Sequence, residues 1–145
     1  MYLLDTNVVS VLDARRRQDT VAIINWIDRN GPSLFLSVVT LTEMQRGILK
    51  LRREERNQRA DGLAGLLSAI ILKFGDRILA MDKDVALHVA KLDEKARAFN
   101  PEMADLIIGA TADVHGLIVM TRNFRHFSPM GVKVLDPFAQ LPAGS

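Results

Sequence analysis

Short apolar runs alternate along this chain with segments that carry the three- and four-residue spacing of amphipathic helices. The apolar runs are Tyr2–Leu4, Leu34–Val39, Arg77–Met81, Leu117–Met120 and Val132–Leu135. Strands that are separated by helices run parallel to one another, and the helices cover both faces of the sheet they form. The pattern therefore predicts a three-layer α/β/α fold with a mostly parallel central sheet.

Capping residues and helix breakers predict where the helices lie. Thr20, Thr40 and Asp82 each precede an apolar-periodic segment and can accept hydrogen bonds from the first free backbone amides of a helix. Leu63–Phe74 has the spacing of an amphipathic helix. A further helix is expected from Met103 to His115, running antiparallel to the strand it feeds.

Length and composition predict one compact domain spanning residues 1–145. Of the 145 residues, 48% are hydrophobic, and a domain of this size buries roughly 70% of the surface of its unfolded chain. The chain has 0 Cys, which excludes disulfides and thiolate chemistry. The first residues lack a basic region and include Asp5, and no apolar run approaches the roughly 18 residues of a membrane span. We therefore expect a cytoplasmic protein that does not enter a membrane.

Basic residues are clustered although the net charge is only +2. The segment Arg46–Arg59 holds six basic residues against two acids, Arg15–Arg17 forms a second cluster, and Arg122 and Arg125 form a third. Solvated helix faces with Glu–Arg pairing would explain each cluster. A surface that attracts phosphates would explain all three. A non-catalytic nucleic-acid-binding module is thus one candidate function.

Four polar residues are predicted to meet at one edge of the sheet. Asp5 follows the first strand, Glu43 lies in the first turns of the helix after the second strand, and Asn123 lies just beyond the fourth strand. Asp105 begins the helix that returns to this edge. Ligands and reactive groups of parallel α/β sheets gather at the carboxyl ends of the strands. The arrangement predicts three carboxylates and an amide around a common point.

Carboxylates that crowd together in a partly desolvated place either raise one another's pKa or bind a cation. With oxygen donors and no sulfur, the predicted cluster suits Mg²⁺ or Mn²⁺. Such ions lower the pKa of bound water and neutralise charge at a phosphodiester during displacement. Metal-assisted cleavage of a nucleic acid is therefore the second candidate function.

The ordered motifs resemble those of the PIN-domain ribonucleases, and their order and spacing are most similar to the VapC toxins of bacterial toxin–antitoxin pairs, especially the FitB-like branch. The likeness covers essentially the whole chain. It is carried by Leu3–Asn7, by Ser37–Glu43 with Arg46 and Gly47, by Asp105–Ala112, by Thr121–Asn123 with Phe127, and by Gly131–Pro137.

The resemblance implies a Mg²⁺-dependent endoribonuclease whose metal is held by Asp5, Glu43 and Asp105. Asp5 and Asp105 are then the expected direct ligands, and Glu43 is either a third ligand or the base for the attacking water. Asn123 would orient water or an outer ligand, and Thr6 would hydrogen-bond within the site.

Two arginines and one departure from the family pattern complete the expected site. Arg46 and Arg122 are expected to bind substrate or support the site, and Arg46 would either face the phosphate or pair with Glu43. After Thr121-Arg122-Asn123 the family often has Asp before the aromatic residue, whereas this chain has His126 before Phe127. The charge around the metal is therefore expected to differ from the usual pattern.

The likeness also implies partners. These are an RNA substrate, a second copy of the chain in a homodimer, and a cognate antitoxin that lays an amphipathic segment in an apolar groove and offers a basic side chain to the acids. The Leu63–Phe74 helix would supply this groove, the dimer face, or simply core.

A response-regulator receiver is a third candidate function, with Asp82 after the third strand as phosphoacceptor. That scheme gives Glu43 no role, and Thr121 is followed by Arg122-Asn123 without a nearby Lys. We therefore interpret Asp82 as a helix cap.

Overall fold

The computed structural model describes residues 1–13 and 20–143. These residues contain a five-stranded sheet in the order β3-β2-β1-β4-β5, and every neighbouring pair is parallel. The strands are β1 Tyr2–Leu4, β2 Leu34–Ser37, β3 Ile78–Leu79, β4 Ile118–Met120 and β5 Val134–Leu135. The predicted parallel sheet is confirmed. The basic cluster Arg15–Arg17 lies outside the described residues.

Helices connect the strands within the described residues. They are α1 Thr6–Val9, α2 Val21–Arg29, α3 Val38–Arg53, α4 Asn57–Phe74, α5 Lys83–Lys95, α6 Met103–Val114 and α7 Phe124–Phe127. Asp82 caps α5 as predicted, because its Oδ1 accepts a 2.9 Å hydrogen bond from the Val85 amide. Gly75 ends α4 with a φ of 50°, a conformation that favours glycine.

The second strand is shorter than predicted. It ends at Ser37, whose hydroxyl accepts a 3.2 Å hydrogen bond from the Val39 amide and so caps α3. The residue predicted as the cap, Thr40, lies inside α3 and is fully buried. Apolar Val38 and Val39 continue the pattern of the strand, and periodicity alone does not separate a buried strand from the first turn of a buried helix.

The helix predicted at Leu63–Phe74 begins six residues earlier, at Asn57. Its added turns are polar on the outside but bury Ala60 completely, so one small residue anchors them against the core. The third and fifth strands shrink to two residues each. Lys133, just before β5, still accepts a 2.9 Å backbone hydrogen bond from Val119 of β4.

The sheet separates two apolar cores, which establishes the three-layer arrangement. On one face Leu4, Leu36 and Met120 pack with α1 to α4, and on the other Leu3 and Val119 pack with α5, α6 and α7. Successive residues of a strand point to opposite faces, so these central strands must be apolar at every position. Among the described residues, no helix is long and apolar enough to span a bilayer.

Candidate active site at the carboxyl edge of the sheet

A cavity of about 330 Å³ opens at the carboxyl ends of the central strands. Its lining is polar and consists of Asp5, Thr6, Asn7, Ser10, Glu43, Glu102, Asp105, Asn123 and His126. The parallel topology produces this gathering, because β1 and β4 end side by side and the helices that follow or precede them start at the same edge. The four residues predicted to converge, Asp5, Glu43, Asp105 and Asn123, all line the cavity.

Asp5 is fixed by hydrogen bonds at both carboxylate oxygens. Oδ1 accepts a bond of 2.7 Å from the Thr6 amide, which makes Asp5 the N-cap of α1. Oδ2 accepts bonds from Thr121 Oγ1 at 2.7 Å and from Asn7 Nδ2 at 3.2 Å. With only 5% of its surface exposed, Asp5 has a single orientation in which its carboxylate faces the cavity.

Glu43 lies in the second turn of α3, where the Ser37 cap sets the start of the helix. Its Oε1 accepts a short hydrogen bond of 2.6 Å from Thr6 Oγ1. Thr40 Oγ1 lies 3.2 Å from the same Thr6 oxygen. The side chain of Thr6 therefore ties α1 to α3 and holds the Glu43 carboxylate at the cavity wall.

Asp105 lies in the first turn of α6, where a negative side chain interacts favourably with the helix dipole. Its Oδ2 lies 3.0 Å from Nδ1 of His126, which stands on α7. The Asp105 side chain is 15% exposed and the His126 side chain is 53% exposed. The His126 ring therefore covers one side of a carboxylate that is otherwise open to the cavity.

Burial raises the pKa of Asp5 and of Asp105 above the ordinary value of 3.8. Hydrogen bonds from Thr121 and the Thr6 amide oppose this effect at Asp5, and His126 opposes it at Asp105. The negative charge of Asp105 raises the pKa of Asp5 further, and the negative charge of Glu43 does the same to the pKa of Asp105. The carboxylates therefore interact through space, and each charge is costly unless a cation is nearby.

The donor set fits a hard divalent cation. The carboxylates of Asp5, Glu43 and Asp105 offer only oxygen atoms, which Mg²⁺ and Mn²⁺ prefer. Mg²⁺ keeps several of its waters and binds through one or two carboxylates, so it does not require a closed protein cage. As the side chains stand, no group of three or more His, Asp or Glu residues in the described part of the chain is arranged to hold an ion.

The other residues predicted for the site have separate surroundings. Arg46 is exposed on α3, and no ion pair joins it to Glu43 among the described residues. The Arg122 guanidinium carbon lies 3.7 Å from the centroid of the Phe138 ring, and its backbone amide donates to Asn7 Oδ1 at 3.2 Å. Neither arginine belongs to the described lining of the cavity. Arg122 thus supports the edge through its backbone.

Asn7 and Thr121 are the most important residues that the sequence analysis did not single out. Thr121 Oγ1 accepts hydrogen bonds from Asn7 Nδ2 at 3.1 Å and from the Asn123 amide at 2.9 Å while it donates to Asp5. Both positions stand in the motifs on which the resemblance rests, next to Asp5 and Asn123. A polar residue directly after a buried strand is the signal that points to Thr121, and Asn7 lies in the first turn of α1, two residues after Asp5.

The basic segment Arg46–Arg59 has mixed surroundings. Lys50, Arg52 and Arg59 lie within 4.0 Å, 3.0 Å and 3.9 Å of acidic side chains. Within the described part of the chain, Arg53 and Arg56 make no ion pair and are exposed. Part of this segment is therefore the paired helix face expected, and part is free to attract anions.

Comparison with known proteins identifies relatives over nearly the whole chain. Residues 2–131 match the family model described as PIN domain. The chain is 33% identical to Toxin FitB of Neisseria gonorrhoeae over 142 residues, which is 95% of this chain and 99% of that protein. It is 30% identical to VapC ribonuclease Y4jK of Sinorhizobium fredii over 145 residues, 95% of this chain and 98% of that protein. In the crystal structure of FitAcB from Neisseria gonorrhoeae, one chain superimposes with a TM-score of 0.80 at 32% identity, covering 95% of this chain and 99% of that one.

Proposed function

The chain belongs to the PIN-domain family, and from that premise we propose that it is a Mg²⁺-dependent endoribonuclease and the toxin of a toxin–antitoxin pair. The observation that carries the proposal is the cavity into which Asp5, Glu43 and Asp105 face from three different elements. Two of these carboxylates are buried enough to have raised pKa values. Such a group of acids destabilises a fold unless it serves to bind a cation.

The expected roles follow from the contacts of each side chain. Asp5 and Asp105 hold the ion as direct ligands, and Mn²⁺ is an acceptable substitute for Mg²⁺. When bound, a divalent cation lowers the pKa of a water and neutralises charge on the phosphodiester. Thr121 keeps one oxygen of Asp5 in place, and Thr6 does the same for Glu43. Glu43 is thereby positioned either as a third ligand or as the group that takes the proton from the attacking water.

Asn123 and His126 complete the wall of the cavity. Asn123 lines the cavity, and its side-chain amide would orient water or an outer ligand of the ion. His126 stands where the family often has an acid, and its ring nitrogen meets Asp105 instead of adding another negative charge. The site is therefore less negative than an all-acid version, and we expect its metal affinity to depend strongly on the three core carboxylates.

We extend the proposal to partners and location on the basis of the relatives. One relative is named a toxin and the other a VapC ribonuclease. By that likeness the chain acts on RNA in the cytoplasm and is inhibited by a cognate antitoxin that brings a basic side chain to the acids. A homodimer is part of the same proposal. Ile71 and Leu72 on α4 are 47% and 87% exposed, so this helix offers apolar surface for either protein partner.

Cleavage of labelled single-stranded RNA by the purified chain tests the proposal. We expect products with Mg²⁺, none with a chelator, and a rate at background for Asp105→Asn. Asp93→Asn is the matched control, because Asp93 is an exposed acid on α5, away from the cavity. Binding of RNA without cleavage in Mg²⁺ or Mn²⁺ would reject the nuclease in favour of a non-catalytic nucleic-acid-binding module, and phosphoryl transfer to Asp82 would favour a receiver.

A further inference from the structure

A second cavity of about 280 Å³ adjoins the acidic cavity. The two share Glu102, Asp105 and His126 as lining residues, so they form one continuous depression. Ligand pockets for drug-sized molecules have volumes of about 300–1,000 Å³. The volume of the second cavity lies just below this range, so the cavity has room for one flat ring system but not for a folded chain segment.

The far wall of the second cavity is apolar and exposed. Phe99 ends a single 3-10 turn, Arg97–Phe99, and 70% of its surface is open to solvent. The next residue, Asn100, has a φ of 47°, which turns the chain sharply before Pro101. Pro101 and Pro129 complete this wall. An aromatic ring held by a tight turn and flanked by prolines is a rigid face with low entropic cost on binding.

Arg125 also lines the second cavity and supplies positive charge. In residues 1–13 and 20–143, no carboxylate forms an ion pair with it, and it is exposed on α7. The neighbouring cavity is lined by acids, so the surface changes from negative to positive over a short path. A phosphodiester chain that meets a cation at the carboxylates would next reach a guanidinium, which is a good partner for phosphate.

We propose that the second cavity binds the base of the nucleotide adjoining the cleaved phosphodiester, with Phe99 stacking on that base and Arg125 contacting its phosphate. This inference rests on the function proposed above. A nucleotide whose phosphate lies at Asp105 can reach the second cavity with its base, because the two cavities share that residue. Stacking accepts every base and favours the larger ones, so Phe99 sets a preference by ring size rather than by hydrogen bonding.

Binding of fluorescent single-stranded oligoribonucleotides to the full chain tests the proposal without requiring cleavage. In this binding assay Ca²⁺ is used in place of Mg²⁺, because it binds the same oxygen ligands in looser geometry. One oligomer is intact and a second lacks a single base. We expect Phe99→Ala to bind the intact oligomer about 5- to 150-fold more weakly, the range that corresponds to the loss of one stacked base. Phe99→Trp should retain binding.

The controls separate stacking from general damage. Leu87→Ala removes a side chain of similar exposure, 74%, on α5 and should bind RNA like the wild type. Arg29→Gln removes an exposed cation at the end of α2, at the opposite edge of the sheet, and is the control for Arg125→Gln. With the oligomer that lacks the stacked base, wild type and Phe99→Ala should bind equally.

Cleavage kinetics then distinguish this inference from the proposed function. Where the chain cleaves, Phe99→Ala should raise KM with little change in kcat. Equal binding and equal KM for wild type and Phe99→Ala would overturn the base site and leave the nuclease intact. RNA binding that depends on Phe99 in a chain that never cleaves would end the nuclease proposal and keep the second cavity as an RNA site. Unchanged RNA binding with weaker retention of a protein partner would assign the cavity to a peptide instead.

Discussion

Thr121 Oγ1 donates a 2.7 Å hydrogen bond to Asp5 Oδ2, and this bond joins the carboxyl ends of β4 and β1. Both residues are buried, and the same hydroxyl accepts bonds from Asn7 and from the Asn123 amide. Loss of this hydroxyl therefore removes one donor from the buried Asp5 carboxylate and the acceptor of the Asn123 backbone amide. The hydrogen bonds of the Thr121 hydroxyl give the first prediction.

Thr121→Val should destabilise the fold by about 1–3 kcal/mol, because the buried Asp5 carboxylate loses a hydrogen-bond donor and the Asn123 backbone amide loses its acceptor. RNA cleavage should fall as well, since one oxygen of Asp5 is no longer held. Thr121→Ser keeps the hydroxyl and should recover most of both properties. Denaturant unfolding and cleavage rates measure the effects, and Thr42→Val, at an exposed position of α3, is the control. Wild-type stability and activity in Thr121→Val would show that the Thr121 hydroxyl is not needed to hold Asp5.

Thr6→Val should reduce cleavage about 10- to 100-fold, the usual effect of removing a group that orients a metal ligand. The Thr6 backbone amide still donates to Asp5 Oδ1, so the loss reports on the bonds of the Thr6 hydroxyl, chiefly the 2.6 Å bond to Glu43. We expect a higher Mg²⁺ concentration at half-maximal rate and rescue by Thr6→Ser. A Mg²⁺ dependence identical to that of the wild type would show that the position of Glu43 does not depend on Thr6.

The raised pKa of Asp105 predicts a pH-dependent effect on stability. A carboxyl whose pKa is higher in the folded chain than the unfolded value near 3.8 binds its proton more tightly when folded. Ionisation therefore costs stability as pH rises from 3.8 through the folded pKa, and above it the full cost remains. In chelator, we expect the free energy of unfolding of Asp105→Asn relative to wild type to increase from pH 4 to pH 7. A decrease would contradict the assigned direction.

Mg²⁺ should raise the melting temperature of the wild type, because an ion that binds only the folded chain stabilises it by mass action. The gain is about 2.7 kcal/mol when free ion is 100 times its Kd. Asp5→Asn and Asp105→Asn should lose most of the gain, whereas Asp93→Asn should keep it. Differential scanning calorimetry with and without chelator makes the comparison. An equal gain in all four proteins would place the ion elsewhere.

Gly109→Ala should destabilise the fold by about 1–3 kcal/mol, the usual cost of overpacking. A Cβ at this position would lie 2.9 Å from Met130 Sδ and 3.7 Å from the Phe127 ring, both buried on the other side of the site helix α6. Because Phe127 follows His126 on α7, the displacement should also lower RNA cleavage. Gly62→Ala on α4, where a Cβ meets nothing within 4 Å, is the matched control. Equal stability of both variants would show that Met130 moves aside freely.

The sequence predicted the element order because the strands are short, mainly apolar runs and the helices between them show three- and four-residue apolar spacing. Its errors lie at boundaries. Val38 and Val39 have the composition of a strand, but the Ser37 hydroxyl ends β2 by capping α3. This competition between a cap and an apolar run is decided by tertiary packing, which a local pattern does not contain.

The candidate site followed from topology more than from local motifs. Asp5, Glu43 and Asp105 were placed at one edge because parallel strands bring their carboxyl ends together, and the cavity contains all three. Hydrogen bonds such as Asn7 to Thr121 depend on side-chain orientation over more than a hundred residues of separation. The surroundings of Arg122 depend likewise on the Phe138 ring, which lies beyond β5.

The central strand β1 has β4 as one of its two neighbours. The first strand to be synthesised therefore pairs with a strand that is synthesised more than a hundred residues later. During synthesis, Asp5 leaves the ribosome long before Thr121 exists to hold it. A nascent chain stopped before residue 121 has all three carboxylates but lacks the hydroxyl that holds Asp5. The carboxylate edge is therefore expected to become fully ordered only after β4 and Thr121 have been synthesised.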